Sequence, residues 1–209
     1  RTKQKHGVTI ENPIEFLHRD INCSVTQREV GVDTESMAVG LRAALRQDPD
    51  VILIGEMRDP DTADIAVKAA ETGHLVVSVM PTPDVPTSIE RMVAMFQPDE
   101  RDIGRVRLSE ALRGIVAQQL LPRADEEGRV AAIEVLVGTP QVRACIKNPT
   151  RWGELRTLMS LGRDQHGMQT FEQSLADLVK SGSITEETAH AATRGEPEPE
   201  GRDRRKKAR

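Results

Sequence analysis

Short apolar runs alternate with amphipathic segments along the chain. Residues 8–10 form a short β-prone run, and Val51–Ile54 is a run of four apolar residues, typical of a strand buried on both faces. Residues 75–79 predict another buried strand, and residues 23–30 a further, more polar one. Apolar residues at helical spacing lie between these runs. The alternation predicts an α/β fold with a mainly parallel sheet flanked by helices.

Capping residues mark where two of the helices begin. Asp33 and Thr34 are N-cap candidates for a helix that runs to about Gln47. Asp59 followed by Pro60 is the usual order of an N-cap and a first helical residue. The sequence therefore predicts one helix on either side of the Val51–Ile54 strand.

The pattern changes in the second half of the chain. Residues 115–121 and 129–137 predict two strands joined by a turn, and short helices follow Gly138. One of these helices opens with a capping box formed by Thr170 and Gln173. The predicted organisation is a core over residues 1–138, a C-terminal helical subdomain over 139–194 and a disordered charged tail over 195–209.

Composition and charge exclude several classes of protein. The net charge is −4 and aromatic residues make up 2% of the chain, so we expect no nucleic acid partner. No apolar run approaches the ~20 residues that span a bilayer. The two cysteines, Cys23 and Cys145, form no C-x-x-C pair, which predicts neither a zinc site nor a disulfide framework.

Polar residues follow three of the predicted strands. Ligands of a parallel sheet bind beyond the carboxyl ends of its strands, so we expect these residues to converge. Two carboxylates at such an edge suit a hydrated Mg²⁺ or an activated water. The residues are Glu11, Asn12 and Glu15 after the first strand, Gly55, Glu56, Arg58 and Asp59 after the second, and Thr82 and Asp84 after the third.

The residues around Glu56 are the most specific of these groups. Four apolar residues, a glycine and an acid approximate a Walker B strand, which buries itself and carries a carboxylate to the phosphates and magnesium. Acids at strand ends are also common in α/β proteins that bind no nucleotide, and this short motif leaves both interpretations open. His74 has two interpretations as well, because a histidine that opens a strand can simply bond to a backbone group.

Several segments resemble motifs of one known family. Residues 9–16 resemble the Asp box of secretion-superfamily ATPases, residues 45–59 their Walker B segment and residues 70–75 the start of their His box. Residues 138–146 and 167–171 are similar to segments typical of PilT-like proteins. Over residues 8–193 the chain therefore resembles the PilT and PilU family of type IV pilus retraction ATPases. The sequence lacks the four-cysteine insert of many assembly and export ATPases, which favours this retraction branch.

The resemblance implies a RecA-like P-loop NTPase core that binds ATP and Mg²⁺ and drives pilus retraction in twitching motility. Glu56 would position or activate the attacking water, and Glu11 and Glu15 would line the Mg²⁺–phosphate region. His74, as the first His-box histidine, would couple the γ-phosphate to movement of the ring. Arg58 would help to bind the nucleotide, and Glu11 and Glu56 would hold Mg²⁺ indirectly.

The resemblance also implies an assembly and a location. The family forms homo-hexameric rings at the cytoplasmic face of the inner membrane. The implied partners are other copies of the chain, the inner-membrane platform protein of the pilus and a paralogous pilus ATPase.

Three departures from the family pattern leave the activity open. The sequence contains no G-x-x-x-x-G-K-[ST] motif, so we expect an N-terminally truncated chain whose sheet is open beside residues 8–10. Asn12 replaces the aspartate of the Asp box, and Pro81 replaces the second His-box histidine. The alternative to a motor domain is a non-hydrolysing ring subunit or docking module of a pilus or type II secretion machine. A DNA-packaging or conjugation ATPase is disfavoured by the acidic composition.

Overall fold

The computed structural model describes residues 3–124 and 127–195, and the predicted tail from residue 196 on lies outside this range. Within the described residues the strands are β1 His6–Glu11, β2 Ser24–Glu29, β3 Val51–Ile54, β4 Leu75–Ser78, β5 Gly114–Pro122 and β6 Arg129–Val137. The α-helices are α1 Met37–Ala44, α2 Pro60–Glu71, α3 Val85–Met95, α4 Arg101–Ala111, α5 Pro140–Lys147, α6 Leu155–Leu161, α7 Arg163–His166, α8 Phe171–Lys180 and α9 Glu186–Arg194. No helix among the described residues is long and apolar enough to cross a membrane.

Four parallel strands form the main sheet, in the order β2-β1-β3-β4. Ile10 of β1 lies opposite Ile54 of β3, and Ile54 lies opposite Ser78 of β4. Helices connect β2 to β3 and β3 to β4, as parallel strands require. The predicted parallel sheet with flanking helices is therefore confirmed.

Two expectations about the sheet are wrong. The strand that contains residues 8–10 is not at an open edge, because β1 pairs with β2 on one side and β3 on the other. The predicted burial of the strand at residues 75–79 also fails. β4 is an outer strand, and no strand among the described residues pairs with its free edge. Leu75 and Val77 of β4 are consequently 50% and 42% exposed.

The core of the sheet lies on the face that α1 and α2 cover. Ile10, Ile52 and Ile54 project from the sheet into this core and are buried. Leu41 of α1 and Ala66 of α2 pack against them. Burying aliphatic side chains in this way stabilises a fold by about 1.5–3 kcal/mol for each large residue.

The two predicted N-caps have different outcomes. The Asp59 cap of α2 is confirmed, because its Oδ1 accepts a hydrogen bond from the Thr62 N–H at 2.8 Å. The cap of α1 is not Asp33 or Thr34 but Ser36, whose hydroxyl accepts from the Val39 N–H. The Asp33 carboxylate is already used by the turn after β2, where it accepts from a backbone N–H.

The chain divides into two compact units. The first runs up to Thr82 and also contains Ser88–Leu112 and Ile146–Pro149. The second contains Pro83–Thr87, Arg113–Cys145 and, among the described residues, those from Thr150 onward. These units are groups of residues in mutual contact, and such groups do not by themselves define folding domains. The predicted domain limits at residues 138 and 194 therefore stay a prediction.

The second unit is built around an antiparallel hairpin of β5 and β6. Leu121 and Ala132 of the hairpin form a small core with Leu175 of α8 and Ile184. The predicted capping box at the start of α8 is confirmed, because Thr170 and Gln173 bond to each other's backbone N–H. The hairpin therefore packs with the C-terminal helices.

Candidate functional site

The ends of β1 and β3 approach each other closely at the carboxyl edge of the sheet. The Gly55 N–H donates to the Ile10 carbonyl oxygen at 2.8 Å. A Cβ atom on Gly55 would lie 3.2 Å from the Cα atom of Glu11, so the glycine permits this approach. Glu11 and Glu56 therefore leave neighbouring strands at the same edge, as the sequence predicts.

Glu11 is held in place by two hydrogen bonds. Its Oε1 accepts from the Thr9 hydroxyl at 2.5 Å and from the Gln27 side-chain amide at 3.0 Å. The same Gln27 amide donates to the Phe16 carbonyl oxygen at 3.0 Å, which fixes the amide in turn. Sequence reasoning missed Gln27, because its role depends on β2 pairing with β1 in this register.

Glu56 is an ionised carboxylate that is partly open to solvent. It forms an ion pair with Arg58, and the two side chains are 27% and 75% exposed. The hydrogen bond from Arg58 holds the pKa of Glu56 below its usual range, and the charges of Arg58 and Arg91 act in the same direction. The carboxylate is therefore deprotonated at neutral pH, the form in which it can orient a water molecule or accept its proton, and the lowered pKa makes it a weaker proton acceptor.

The loop after β4 reaches the same edge of the sheet. The Met57 N–H donates to the Val79 carbonyl oxygen at 3.0 Å, which ties the end of β3 to the end of β4. Arg91 donates to the Pro81 carbonyl oxygen at 3.1 Å, and the hydroxyls of Thr82 and Ser88 lie 2.6 Å apart. Arg91 was not identified from the sequence, since nothing local links it to Glu56.

The structure does not bring His74 to Glu11 and Glu56, and it shows no hydrogen bond between Glu15 and either of them. Glu15 is exposed and has no hydrogen bond or ion pair with the described residues. His74 precedes β4, so it lies at the amino end of a parallel strand, about 13 Å along the sheet from the carboxyl end. Its Nδ1 lies 3.0 Å from the Ala69 carbonyl oxygen, which is the backbone contact that the simpler interpretation predicts.

The carboxylates at this edge fit a magnesium ion of the nucleotide-bound type. The described residues contain no group of three or more His, Cys, Asp or Glu side chains placed to hold a metal. Mg²⁺ bound with a nucleotide keeps several waters and uses one or two carboxylates together with phosphate oxygens. Glu11 and Glu56 supply a donor set of that size and chemistry.

Comparisons with known proteins identify relatives of this chain. Residues 1–190 match the family described as type II/IV secretion system protein. The chain is 46% identical over 186 residues to the type IV pilus ATPase PilU of Pseudomonas aeruginosa, which is 89% of this chain and 48% of that protein. It is 43% identical over 188 residues to the twitching motility protein of Neisseria gonorrhoeae, which is 90% of this chain and 50% of that protein. The chain spans about half the length of these relatives.

A solved structure has the same fold. The crystal structure of the pilus retraction motor PilT with bound ADP is similar to this chain with a TM-score of 0.81 and 43% sequence identity. The similarity covers 95% of this chain and 55% of that one. The predicted RecA-like, P-loop NTPase type of fold is confirmed by this similarity.

Proposed function

The chain belongs to the type II/IV secretion system protein family, and we propose that it is the part of a pilus retraction ATPase that carries the catalytic glutamate and the magnesium side of the ATP site. The observation that carries this proposal is the meeting of Glu11 and Glu56 at adjacent strand ends, where Gly55 lets the two strands approach. The names of the pilus relatives support it.

Each residue at the edge has a distinct task in this proposal. Glu56, ionised and partly open to solvent, orients the attacking water and accepts its proton. Glu11, oriented by Thr9 and Gln27, would hold Mg²⁺ indirectly. The magnesium ion supplies charge neutralisation on the phosphates when it is bound. Arg58, which forms an ion pair with Glu56, supplies a positive charge that helps to bind the nucleotide. His74 lies at the amino end of β4 and is left out of this set, while Glu15 stays a candidate for the Mg²⁺–phosphate region.

We extend the proposal to the assembly by family resemblance. The chain would act in a homo-hexameric ring at the cytoplasmic side of the inner membrane. Its partners would be the platform protein of the pilus and a paralogous pilus ATPase.

A second candidate function is a ring subunit or docking module that does not hydrolyse ATP. Asn12 and Pro81 favour it, because asparagine lacks the negative charge that an aspartate would bring to magnesium and proline lacks the side-chain donor of a histidine. The ATPase rate of a full-length protein that contains this chain and a P-loop separates the two candidates. Turnover that depends on Glu56 supports the motor, and ATP binding without turnover supports the second candidate.

The 209-residue chain by itself should show no steady ATP turnover. The backbone cradle and the lysine of a P-loop supply most of the phosphate binding in sites of this type, and the sequence has no such motif. The measurement is phosphate release from ATP and Mg²⁺ by the purified chain, with the Glu56→Gln variant as the control for contaminating ATPases. Turnover that disappears in the variant would contradict the prediction.

Restoring a histidine at residue 81 should strengthen the link between phosphate state and the loop after β4. A proline side chain donates no hydrogen bond, whereas a histidine can donate one towards a phosphate. In a full-length protein with a P-loop we expect Pro81→His to raise the ATPase rate about tenfold, less than the most that one preorganised donor contributes. Pro83→His, a nearby proline of the same loop, is the matched control. Equal rates in both variants would point to Asn12 as the damaged position.

A further inference from the structure

A buried carboxylate in the second unit has no task in the proposed ATP site. Glu134 lies on β6 with 1% of its surface exposed. Burying a carboxylate is costly unless it is hydrogen-bonded. Its Oε2 accepts a hydrogen bond from the Val85 N–H at 2.7 Å. Val85 is itself fully buried and is the first residue of α3.

Two carboxylates therefore bind the first turn of α3. Asp84 accepts from the Thr87 N–H at 2.8 Å, which is a local cap of the usual kind. Glu134 binds the same turn from 49 residues away in the sequence. Both carboxylates gain from the partial positive charge at the start of a helix. The local cap is sufficient to begin the helix. The additional hydrogen bond to Glu134 therefore serves to hold the first turn of α3 against β6.

Charged groups of neighbouring elements surround this contact. Arg156 of α6 lies 3.4 Å from Asp84 and 3.6 Å from Glu172 of α8. Burial raises the pKa of Glu134 most strongly and the charges of Asp84 and Glu172 add to this effect, while the hydrogen bond from Val85 and the charge of Arg156 oppose it. A hydrogen bond from a backbone N–H survives in either protonation state of the carboxyl group.

The anchored turn is the continuation of the loop that follows β4. Pro83–Thr87 belongs to the second unit, whereas Thr82 before it belongs to the first. We propose that Glu134 is a positioning residue: by holding the Val85 N–H it fixes the start of α3 and the loop over residues 80–84 that leads into it. The anchoring follows from the contacts alone, and its effect on catalysis rests on the proposed ATPase function.

The test compares three variants in a full-length protein that contains this chain and a P-loop. Glu134→Leu removes the acceptor and keeps an apolar side chain in the buried site. Glu134→Gln keeps an oxygen that accepts from the Val85 N–H and is the conservative rescue. Val85→Pro removes the donor instead, at a first helical position that proline tolerates. Glu134→Leu removes the acceptor and Val85→Pro removes the donor of the same hydrogen bond. The proposal can therefore be tested with either variant, provided that it folds.

The first readout is hydrogen exchange around the start of α3. We expect exchange of the Val85 N–H to be about tenfold faster in Glu134→Leu, as for the loss of one hydrogen bond, and unchanged in Glu134→Gln. Equal exchange in the wild type and in Glu134→Leu would overturn the anchoring. In Val85→Pro the same readout is taken at the Thr82 N–H, which bonds to the Met80 carbonyl oxygen within the loop that the anchor is proposed to fix, and unchanged exchange there would also overturn the proposal.

The second readout is steady-state ATP hydrolysis. We expect kcat to fall about ten- to hundredfold in Glu134→Leu and Val85→Pro with little change in KM for ATP, and to be near the wild type in Glu134→Gln. Faster exchange with an unchanged kcat would overturn the positioning role. A wild-type protein without turnover would count against the proposed function, while the exchange result would still decide the anchoring.

Discussion

Glu56→Gln should slow ATP hydrolysis by about 10²- to 10⁴-fold while ATP binding stays largely intact, in a full-length protein that contains this chain and a P-loop. The amide has the shape of the carboxylate but cannot accept a proton from the attacking water. Removing an interaction made mainly in the transition state lowers kcat rather than affinity. The measurements are single-turnover hydrolysis and the Kd of a fluorescent ATP analogue.

A second neutralised carboxylate serves as the control for this experiment. Asp61→Asn removes the same charge from the first turn of α2, where the side chain is 77% exposed and 3.9 Å from Arg42. We expect this variant to hydrolyse ATP at close to the wild-type rate. If Glu56→Gln stays folded but loses ATP binding, Glu56 is a nucleotide-binding residue and its catalytic role is wrong.

Gly104→Ala should lower the free energy of unfolding by about 1–3 kcal/mol, the usual cost of overpacking a core. A Cβ atom at this position would lie 2.5 Å from the Cγ atom of the buried Phe96 ring. The Cγ atom attaches the ring to the Cβ atom of Phe96, so it cannot move aside as the end of a flexible side chain can. Alanine forms helices better than glycine by up to about 1 kcal/mol, so a net loss would show that the clash dominates. Urea unfolding measures the difference.

Two further variants separate the clash from other effects of the methyl group. Gly153→Ala adds the same atom where nothing lies within 4 Å, so its stability should stay close to the wild type. In a Phe96→Leu background the cost of Gly104→Ala should shrink, because the ring is gone. An equal cost in both backgrounds would contradict the assignment of the clash to Phe96.

Local patterns were enough to predict the strands and some of the helix ends. The run at Val51–Ile54 and the Asp59–Pro60 pair were interpreted correctly because a few neighbouring residues determine each feature. The carboxylates Glu11 and Glu56 were singled out for the same reason, since Glu11 directly follows a β-prone run and Glu56 follows one after a single glycine.

Features that depend on distant residues could not be predicted in this way. Gln27 acquires its partner only through the pairing of β2 with β1, and Glu134 through contact with Val85. The pattern also could not show that β1 is an inner strand or that β4 is an outer one. His74 shows a further limit, because the family motif that contains it does not state at which end of a strand the residue lies.

The open side of β4 has a practical consequence for work with this chain. Its outer backbone groups lack a strand partner among the described residues, and Leu75, Val77 and Val79 are exposed beside them. An unprotected edge with aliphatic side chains is a template for strands of other molecules. Two copies that meet there can form a continuous sheet without unfolding. We therefore expect the chain to self-associate through this edge as its concentration rises, so its stability is best measured in dilute solution.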